Sequence, residues 1–536
     1  MYYDQSNNVR AVGAEALQEH IIEEAEDQQW LKLTWWKLHL RPKHLAAEHI
    51  KEQDIPPLPH GLTAVEVLAD FMAYLFRCAQ TYIEDTHLIG KSLFAFPRTD
   101  IDFVLSHPNG WEGAQQSHIR RAAVLAGLVP DTLEGHSRIR LVTEGEASLH
   151  FCVSNMLASE SLSTVHAEKS GFGMEGGVPS GGVIVIDAGG GTIDVSAYCS
   201  TGSTMIFEEI APAECRMQGS VFVTRRAGTL IKEKLSGSRF GVMDYVEQMT
   251  AAFDQEGKIR FRGPESLTFV KFGTIRDTDS TCNIRNGRLR LEGQDVARLF
   301  RPSVQSIIDA VNKQLLASSS DISFIFLVGG FAMSDYLFSE LQAYVSGLGL
   351  TLHRPHSDTG KAVADGAVSF YVDHLVSARF SKFTYGFNCS TRYDCHDPEH
   401  ALREETVYTS LSGVKVIPNH FDIILPKGSR VSELDEYRRT YTAQTKIRAA
   451  FLSMNREIVC HRGSGPVPTF ADGEEADDFS TACTVRADTS GVSQLLNIHR
   501  GKSQAYFELD IDIVLFFGST ELQAQIAWTE NGVEKR

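Results

Sequence analysis

The sequence predicts an α/β module in two lobes over roughly residues 100–375, with a helical stretch before it and a separate antiparallel β-rich domain after it. Three observations predict it. Apolar strands and amphipathic helices alternate from IDFVL at 101–105 to the helix at 364–377. Two glycine turns, Gly189–Gly191 and Gly329–Gly330, stand at the ends of the apolar strands VIVI and ISFIFLV. Beyond about residue 383 the pattern changes to short runs that alternate with period two.

Taken in order, residues 11–50 read as helical around Trp30, Trp35 and Trp36, and IPPLPHG at 55–61 breaks that pattern. The apolar run from 63 to 86 predicts a long helix buried between other elements. Strand 101–105, the turn SHPNG, a helix over 112–127 closed by Gly127, strand 138–142 and helix 146–158 give the order β-α-β-α. The low-complexity stretch 167–182 reads as an exposed connection. Strands then flank DAGGGTID at 187–194, residues 229–295 read as a small mixed insert, and a helix is predicted to start near Pro302. In AYFELDIDIVLFF, Phe507, Leu509, Ile511, Ile513 and Leu515 alternate with acids, which marks a strand with one wet face. The expected domains are 1–180, 181–380 with an inserted subdomain over about 229–300, and 381–536.

At 536 residues the chain is too long for one core. Its composition, 43% hydrophobic and 22% charged, is that of an ordered globular protein. Lys and Arg number 51 against 68 Asp and Glu, a net charge of -17, which opposes general adsorption to nucleic acid or an anionic membrane while leaving room for a local basic pocket. MYYDQSNNVR lacks a basic region followed by an apolar stretch, and no run approaches the length of a membrane span. The nine scattered cysteines fit reduced thiols, so a cytoplasmic protein is expected. Cys389, Cys395, His396 and His400 are spaced C-x5-C-H-x3-H, looser than the pairs of structural zinc sites, and read better as a polar loop.

DAGGGTID carries the clearest chemistry. Gly189, Gly190 and Gly191 clear the turn of side chains, so backbone N–H groups can cradle phosphate oxygens, and Thr192 adds a hydroxyl. Asp187 stands at the strand end, placed to hold Mg2+ through its water shell, with Asp194 in support. The spacing matches neither a P-loop nor a dinucleotide fingerprint. Gly329 and Gly330 open a second strand end, where bare backbone can lie against a base or ribose. A tight hairpin without ligand is the bland alternative.

VIVIDAGGGTIDVSAY resembles the second phosphate motif of the actin and heat-shock protein 70 superfamily, whose domain has a ribonuclease H-like fold, and FLVGGFAMSDYL resembles its adenosine motif. The segment VLSHPNGWEGAQQSHIRRAAVLAGL is similar to the first-lobe strand and helix before the interlobe hinge. The likeness is greatest to the divergent heat shock 70 kDa protein 12 type, in particular its fungal members, and extends to KVIPNHFDIILPKGSRVSE and FGSTELQAQIAWTENG.

The resemblance implies ATP or ADP with Mg2+ as ligands. It implies a magnesium-water aspartate at Asp187, a β/γ-phosphate loop at Gly189, Gly190, Gly191 and Thr192, and ribose contacts at Gly329 and Gly330. It further implies that Glu144 helps place magnesium-bound water, that Lys258 clamps adenine, and that Lys37 orients the attacking water. From the residues alone, Lys37 reads equally well as a solvated lysine on an aromatic helix.

Two features depart from the family. Its opening D-x-G-T-T hairpin is not found, so an N-terminally truncated first lobe with an unpaired sheet edge is expected. Phe331, Ala332 and Met333 stand where the main family carries Ser, Thr and Arg. The readings that follow are an ATP-binding, heat-shock protein 70-like protein with weak turnover and chaperone-like coupling to protein clients. The alternatives are a nucleotide-independent scaffold or a small-molecule kinase on the same fold.

Overall fold

The computed structural model describes residues 1–42, 45, 50, 55–94, 101–111, 113–163, 174–175, 178–179, 181–200, 206–318, 320–355, 357–433, 435–463, 465–501, 504–518 and 521–536. Most of the connection read at 167–182 lies outside them. The chain divides into two compact units, residues 1–111 with 115–376, and residues 377–536 with 112–114.

The first unit opens with a small antiparallel sheet in which β1 (Tyr2–Tyr3) lies between β2 (Val9–Ala11) and a third strand at Leu31–Lys32. Residues 11–50, read as helical, are helical only in part. They hold α1 (Glu19–Asp27), the strand β3 (Leu31–Lys32) and a 3-10 turn at Trp36–Leu40. Gln29 and Trp35 take left-handed conformations, φ 55° and 57°, which interrupt any helix through them. The aromatic cluster is dispersed as well. Trp30 packs on Tyr2 at 6.4 Å and Trp36 on Phe71 at 5.5 Å.

Helix α2 (Ala64–Thr86) begins at a capping box between Thr63 and Glu66. Only Val67 and Ala69 on it are fully buried, less than the expected burial between other elements. Glu66, Asp70 and Glu84 break the apolar run into a stripe, and Asp70 accepts the Tyr3 hydroxyl at 2.9 Å. Strands β4 (Phe103–His107) and β5 (Ile139–Thr143) pair in parallel around α3 (Ala114–Leu125), and α4 (Glu144–Ser163) follows. Gly127, at φ 71°, closes α3 as its sequence predicts.

Next come β6 (Gly182–Ala188), β7 (Ile193–Ser200), β8 (Phe207–Arg216) and α5 (Ser220–Lys234). The insert holds α6 (Met243–Ala252), β9 (Thr268–Lys271), β10 (Ile284–Arg285) and β11 (Arg288–Leu291). Helix α7 (Gly293–Ala317) starts well before Pro302, which is interior. Val296, Leu299 and Phe300 extend the stripe of Val304, Ile307 and Val311 backwards, so burial of one continuous face outweighs the lost hydrogen bond at proline. The unit ends with β12 (Ile322–Val328), α8 (Asp335–Gly347), β13 (Thr351–His353) and α9 (Ala362–Asp373).

Within this unit strands pair in the order β13-β12-β6-β7-β8, parallel at β13-β12-β6 and antiparallel beyond. Every residue of β6 is buried, as expected of a central strand covered on both faces. Helix α9 crosses α4 so closely that a Cβ at Gly366 would lie 1.8 Å from the Ala147 carbonyl oxygen.

The second unit is built from antiparallel strands. One sheet joins β14 (Thr384–Arg392), β15 (Lys415–Leu425), β17 (Ser453–His461) and β18 (Phe479–Asp488); the other joins β16 (Glu436–Thr445), β19 (Ala505–Gly518), β20 (Glu521–Glu530) and β21 (Val533–Lys535). Both sheets contribute to one core, with Tyr385, Leu425 and Ile458 meeting Ile513, Leu515 and Trp528. Cys389 is half-buried beside His420, whereas Cys395 and His396 group with Asp394 on an exposed turn, so the C-x5-C-H-x3-H residues do not converge. Among the described residues no helix is long and apolar enough to cross a membrane.

Candidate functional site

The glycine turn joins β6 to β7, and its ends are fixed by antiparallel register, with Asp187 opposite Asp194. Only the Gly189 N–H is used within the turn, donating to the Thr192 carbonyl at 2.9 Å. The turn's carbonyls are taken up from behind. The N–H groups of Gly219, Ser220 and Val221, at the start of α5, donate to the carbonyls of Gly191, Gly189 and Gly190 at 3.2, 3.1 and 2.9 Å. Gly219 is required for this approach, because a Cβ there would lie 2.5 Å from the Gly190 oxygen.

This docking pins the carbonyl side of the turn to the protein and leaves its other side free. The Gly190 and Gly191 N–H groups have no acceptor among the described residues, and a Cβ on either glycine would meet nothing within 4 Å. Both glycines and Thr192 face a cavity of about 280 Å³ whose other walls include Trp35, Lys37 and Trp111. Trp35 holds its left-handed conformation beside this cavity, a strain of about 1–3 kcal/mol for a non-glycine residue.

Three carboxylates stand by the turn. Asp187 is buried, accepts the Ser148 hydroxyl at 3.4 Å, and faces Gly329, where a Cβ would come within 2.3 Å of its Oδ1. Burial, then the charges of Glu144 and Asp194, push its carboxyl well above the usual range, against the opposing pull of Lys37. Asp194 is fully buried and is pushed up to about 7, first by burial and then by Glu144. Its Oδ1 accepts the Asn109 backbone N–H at 2.6 Å, and its Oδ2 lacks a partner of full hydrogen-bond geometry.

Glu144, at the start of α4, accepts a hydrogen bond from Lys37 Nζ at 3.1 Å. The Lys37 side chain is 52% exposed and its ammonium lies 5.5 Å from the centre of the Trp111 ring. Partial burial works against its charge, but Glu144 outweighs it, and the pKa of Lys37 is raised.

Of the residues singled out in the sequence, Lys37, Gly190, Gly191 and Thr192 line the cavity; Glu144 joins them through Lys37, and Asp187, Gly189 and Asp194 through the glycine turn they belong to or flank. Gly329, at φ 93°, joins them through Asp187, while Gly330 opens a 3-10 turn with free space around its Cα. Lys258 lies apart. It pairs with Asp254 one turn earlier, and its Nζ is 3.0 Å from Thr224 Oγ1 and 3.5 Å from the Ser220 carbonyl, on α5 behind the glycine turn. Its segment reaches the second glycine turn through neighbours. Arg262 pairs with Asp335 at 3.0 Å and Phe261 packs on Tyr336 at 4.7 Å. Phe331 turns into the core against Phe300, and Met333 Sδ accepts the Thr359 hydroxyl at 3.3 Å.

Sequence reasoning missed Asn109. Besides holding Asp194, this buried residue donates from Nδ2 to Ser196 Oγ at 2.9 Å and accepts the Gly145 N–H at 3.1 Å, tying the β4-α3 loop to β7 and to the first turn of α4. The signal was an Asn-Gly pair in the segment SHPNG that follows an apolar strand, read only as a turn. Ser148, Trp111 and Gly219 carried no local pattern.

The residues fit a phosphate chain with a hydrated hard cation. Unused N–H donors face open space, three carboxylates stand near a cavity lined by the cations Lys37 and Arg41, and a buried carboxylate oxygen lacks a full partner.

No family profile matches the chain. Human heat shock 70 kDa protein 12A is 23% identical over 492 residues, covering 79% of this chain and 69% of that protein. Mouse heat shock 70 kDa protein 12A is 22% identical over 494 residues and human heat shock 70 kDa protein 12B is 25% identical over 490, each across 79% of this chain. The chain is a distant homologue of these proteins. At this identity it is a divergent relative of heat shock 70 kDa protein 12, and its α/β unit with a separate β-rich unit is in keeping with such kinship.

Proposed function

We propose that this chain is a cytoplasmic, heat-shock protein 70-like protein of actin-like ATPase fold that binds ATP and ADP with Mg2+ through its first unit. The observation that carries the reading is the glycine turn. It is locked by its carbonyls onto the start of α5 and offers the Gly190 and Gly191 N–H groups to a cavity walled by Lys37 and Thr192. Names of distant relatives add support, since all three are heat shock 70 kDa proteins.

In this reading the N–H groups and Thr192 hold the β- and γ-phosphates, and Gly329 and Gly330 let the ribose approach β12. Lys258 borders the adenine side through Arg262. Bound Mg2+ supplies positive charge that offsets the phosphates and the clustered carboxylates. Asp187 and Glu144 hold and orient its waters, with Asp194 behind them. Lys37, aligned by Glu144, orients a water for attack on the terminal phosphate, so turnover rests on positioning and charge rather than covalent chemistry.

Lys37 and Arg41 are the cations that line the cavity among the described residues; turnover is weak in this reading, and a scaffold that has lost turnover or works without nucleotide is the second reading. Calorimetric titration of the full chain with MgATP and MgADP tests both. Binding that is lost in Asp187→Ala supports the proposal, and hydrolysis of the bound nucleotide separates weak ATPase from scaffold. A folded protein giving no heat with either nucleotide overturns it.

A further inference from the structure

The inserted sheet β9-β11-β10 carries a charge opposite to that of the chain as a whole. Strand alternation buries Thr268, Val270, Ile284, Leu289 and Leu291, and turns Phe269, Lys271, Arg285, Arg288 and Arg290 to solvent. Register sets these cations side by side. Lys271 stands opposite Arg288, Arg288 opposite Arg285, and Phe269 opposite Arg290.

The arrangement is fixed by local sequence. Asn286 and Gly287, at φ 53° and 68°, form the two-residue turn that such dihedrals favour, which makes Arg285 and Arg288 direct partners. A Cβ at Gly287 would lie 2.3 Å from Gly273 C, so the turn has no slack. Arg290 pairs with Glu292 at 3.1 Å. Among the described residues Lys271, Arg276, Arg285 and Arg288 have no ion pair. Like charges directly opposite on a sheet destabilise it. Within a chain of net charge -17, an exposed row of unpaired cations over a concavity of about 1370 Å³ is therefore a surface that an anion would stabilise.

We propose that this face binds an acidic peptide segment of a partner protein, with carboxylates on Lys271, Arg285 and Arg288 and an apolar side chain on Phe269. The arginine forks suit carboxylates. Single-stranded nucleic acid fits less well, because its binding sites stack successive bases on several aromatic rings and this face has one, and the acidic remainder of the chain repels a long polyanion. The face shares no lining residue with the glycine-turn cavity.

The test is fluorescence anisotropy of the full chain with a labelled glutamate-rich peptide carrying one leucine, beside a labelled polythymidine oligonucleotide. The peptide binds, binding weakens with salt, and Arg288→Glu weakens it roughly tenfold or more. Arg288→Gln also loses affinity yet melts no lower than the unaltered chain, because it relieves the repulsion with Lys271 and Arg285, and this separates lost binding from lost folding. No peptide binding, equal binding by Arg288→Glu, or tighter binding of the oligonucleotide overturns the proposal.

Discussion

Lys37 donates to Glu144 at 3.1 Å across 107 residues of chain, joining the 3-10 turn of the N-terminal segment to the first turn of α4. The pair contributes little to stability, since Lys37 is half-exposed and exposed ion pairs are worth about 0–1 kcal/mol. Its consequence is positional. It holds an ammonium at the wall of the cavity that the glycine turn faces. Lys37→Ala is expected to leave the melting temperature nearly unchanged while lowering single-turnover hydrolysis of MgATP about 10-fold or more. Equal hydrolysis by the variant would return Lys37 to the status of a solvated side chain.

Asp194 predicts a pH dependence whose sign can be worked out. Its folded carboxyl titrates near 7, above the unfolded value of 3.8, so between those values the folded state holds a proton that the unfolded state has lost. Its contribution to the stability of the nucleotide-free protein is therefore most favourable below about pH 4 and falls as pH rises towards 7. Asp194→Asn keeps an oxygen for the Asn109 N–H and removes the buried charge. Relative to the unaltered chain, the variant should gain stability progressively over this range, by an amount on the order of 1–4 kcal/mol at neutral pH. Denaturant melts at several pH values measure it, and a constant difference would mean that Asp194 does not titrate there.

Asn109 joins three segments of the site, and its loss leaves the Gly145 N–H and the Ser196 hydroxyl without these partners. Asn109→Ala should cost about 2–3 kcal/mol in chemical denaturation, typical of buried polar groups stripped of a hydrogen bond. Asn109→Asp retains an acceptor but places a charge near Asp194 and Glu144. It should destabilise more at neutral than at acidic pH.

Part of this architecture was legible in the sequence and part was not. Gly189–Gly191 and Gly329–Gly330 announced themselves because absent side chains at strand ends are a local signal. The alternation through Ile511 and Ile513 showed the inward face of β19 for the same reason. The start of α7 and the breakup of residues 11–50 were hidden. The first depends on a stripe that runs through Pro302, and the second on left-handed turns at Gln29 and Trp35 that no glycine marks. Asn109, Ser148 and Gly219 matter through partners far along the chain, which spacing alone cannot reveal.

Gly219 and Gly190 touch, yet their substitutions should fail differently. A Cβ at Gly219 meets backbone, the Gly190 oxygen at 2.5 Å, so Gly219→Ala must push α5 away from the turn and should cost about 1–3 kcal/mol of stability. A Cβ at Gly190 meets nothing within 4 Å, and Gly190 is not among the residues with positive φ, so Gly190→Ala should fold with a melting temperature close to that of the unaltered chain. Its methyl group would nevertheless stand beside the N–H groups that the proposed phosphates use. MgADP affinity should fall by about 10-fold or more, since those hydrogen bonds depend on close backbone approach. Thermal melts with and without MgADP decide the matter. A stable Gly190→Ala that still gains the full nucleotide-induced shift would place the phosphates elsewhere, whereas loss of the shift without loss of stability would locate them on this turn.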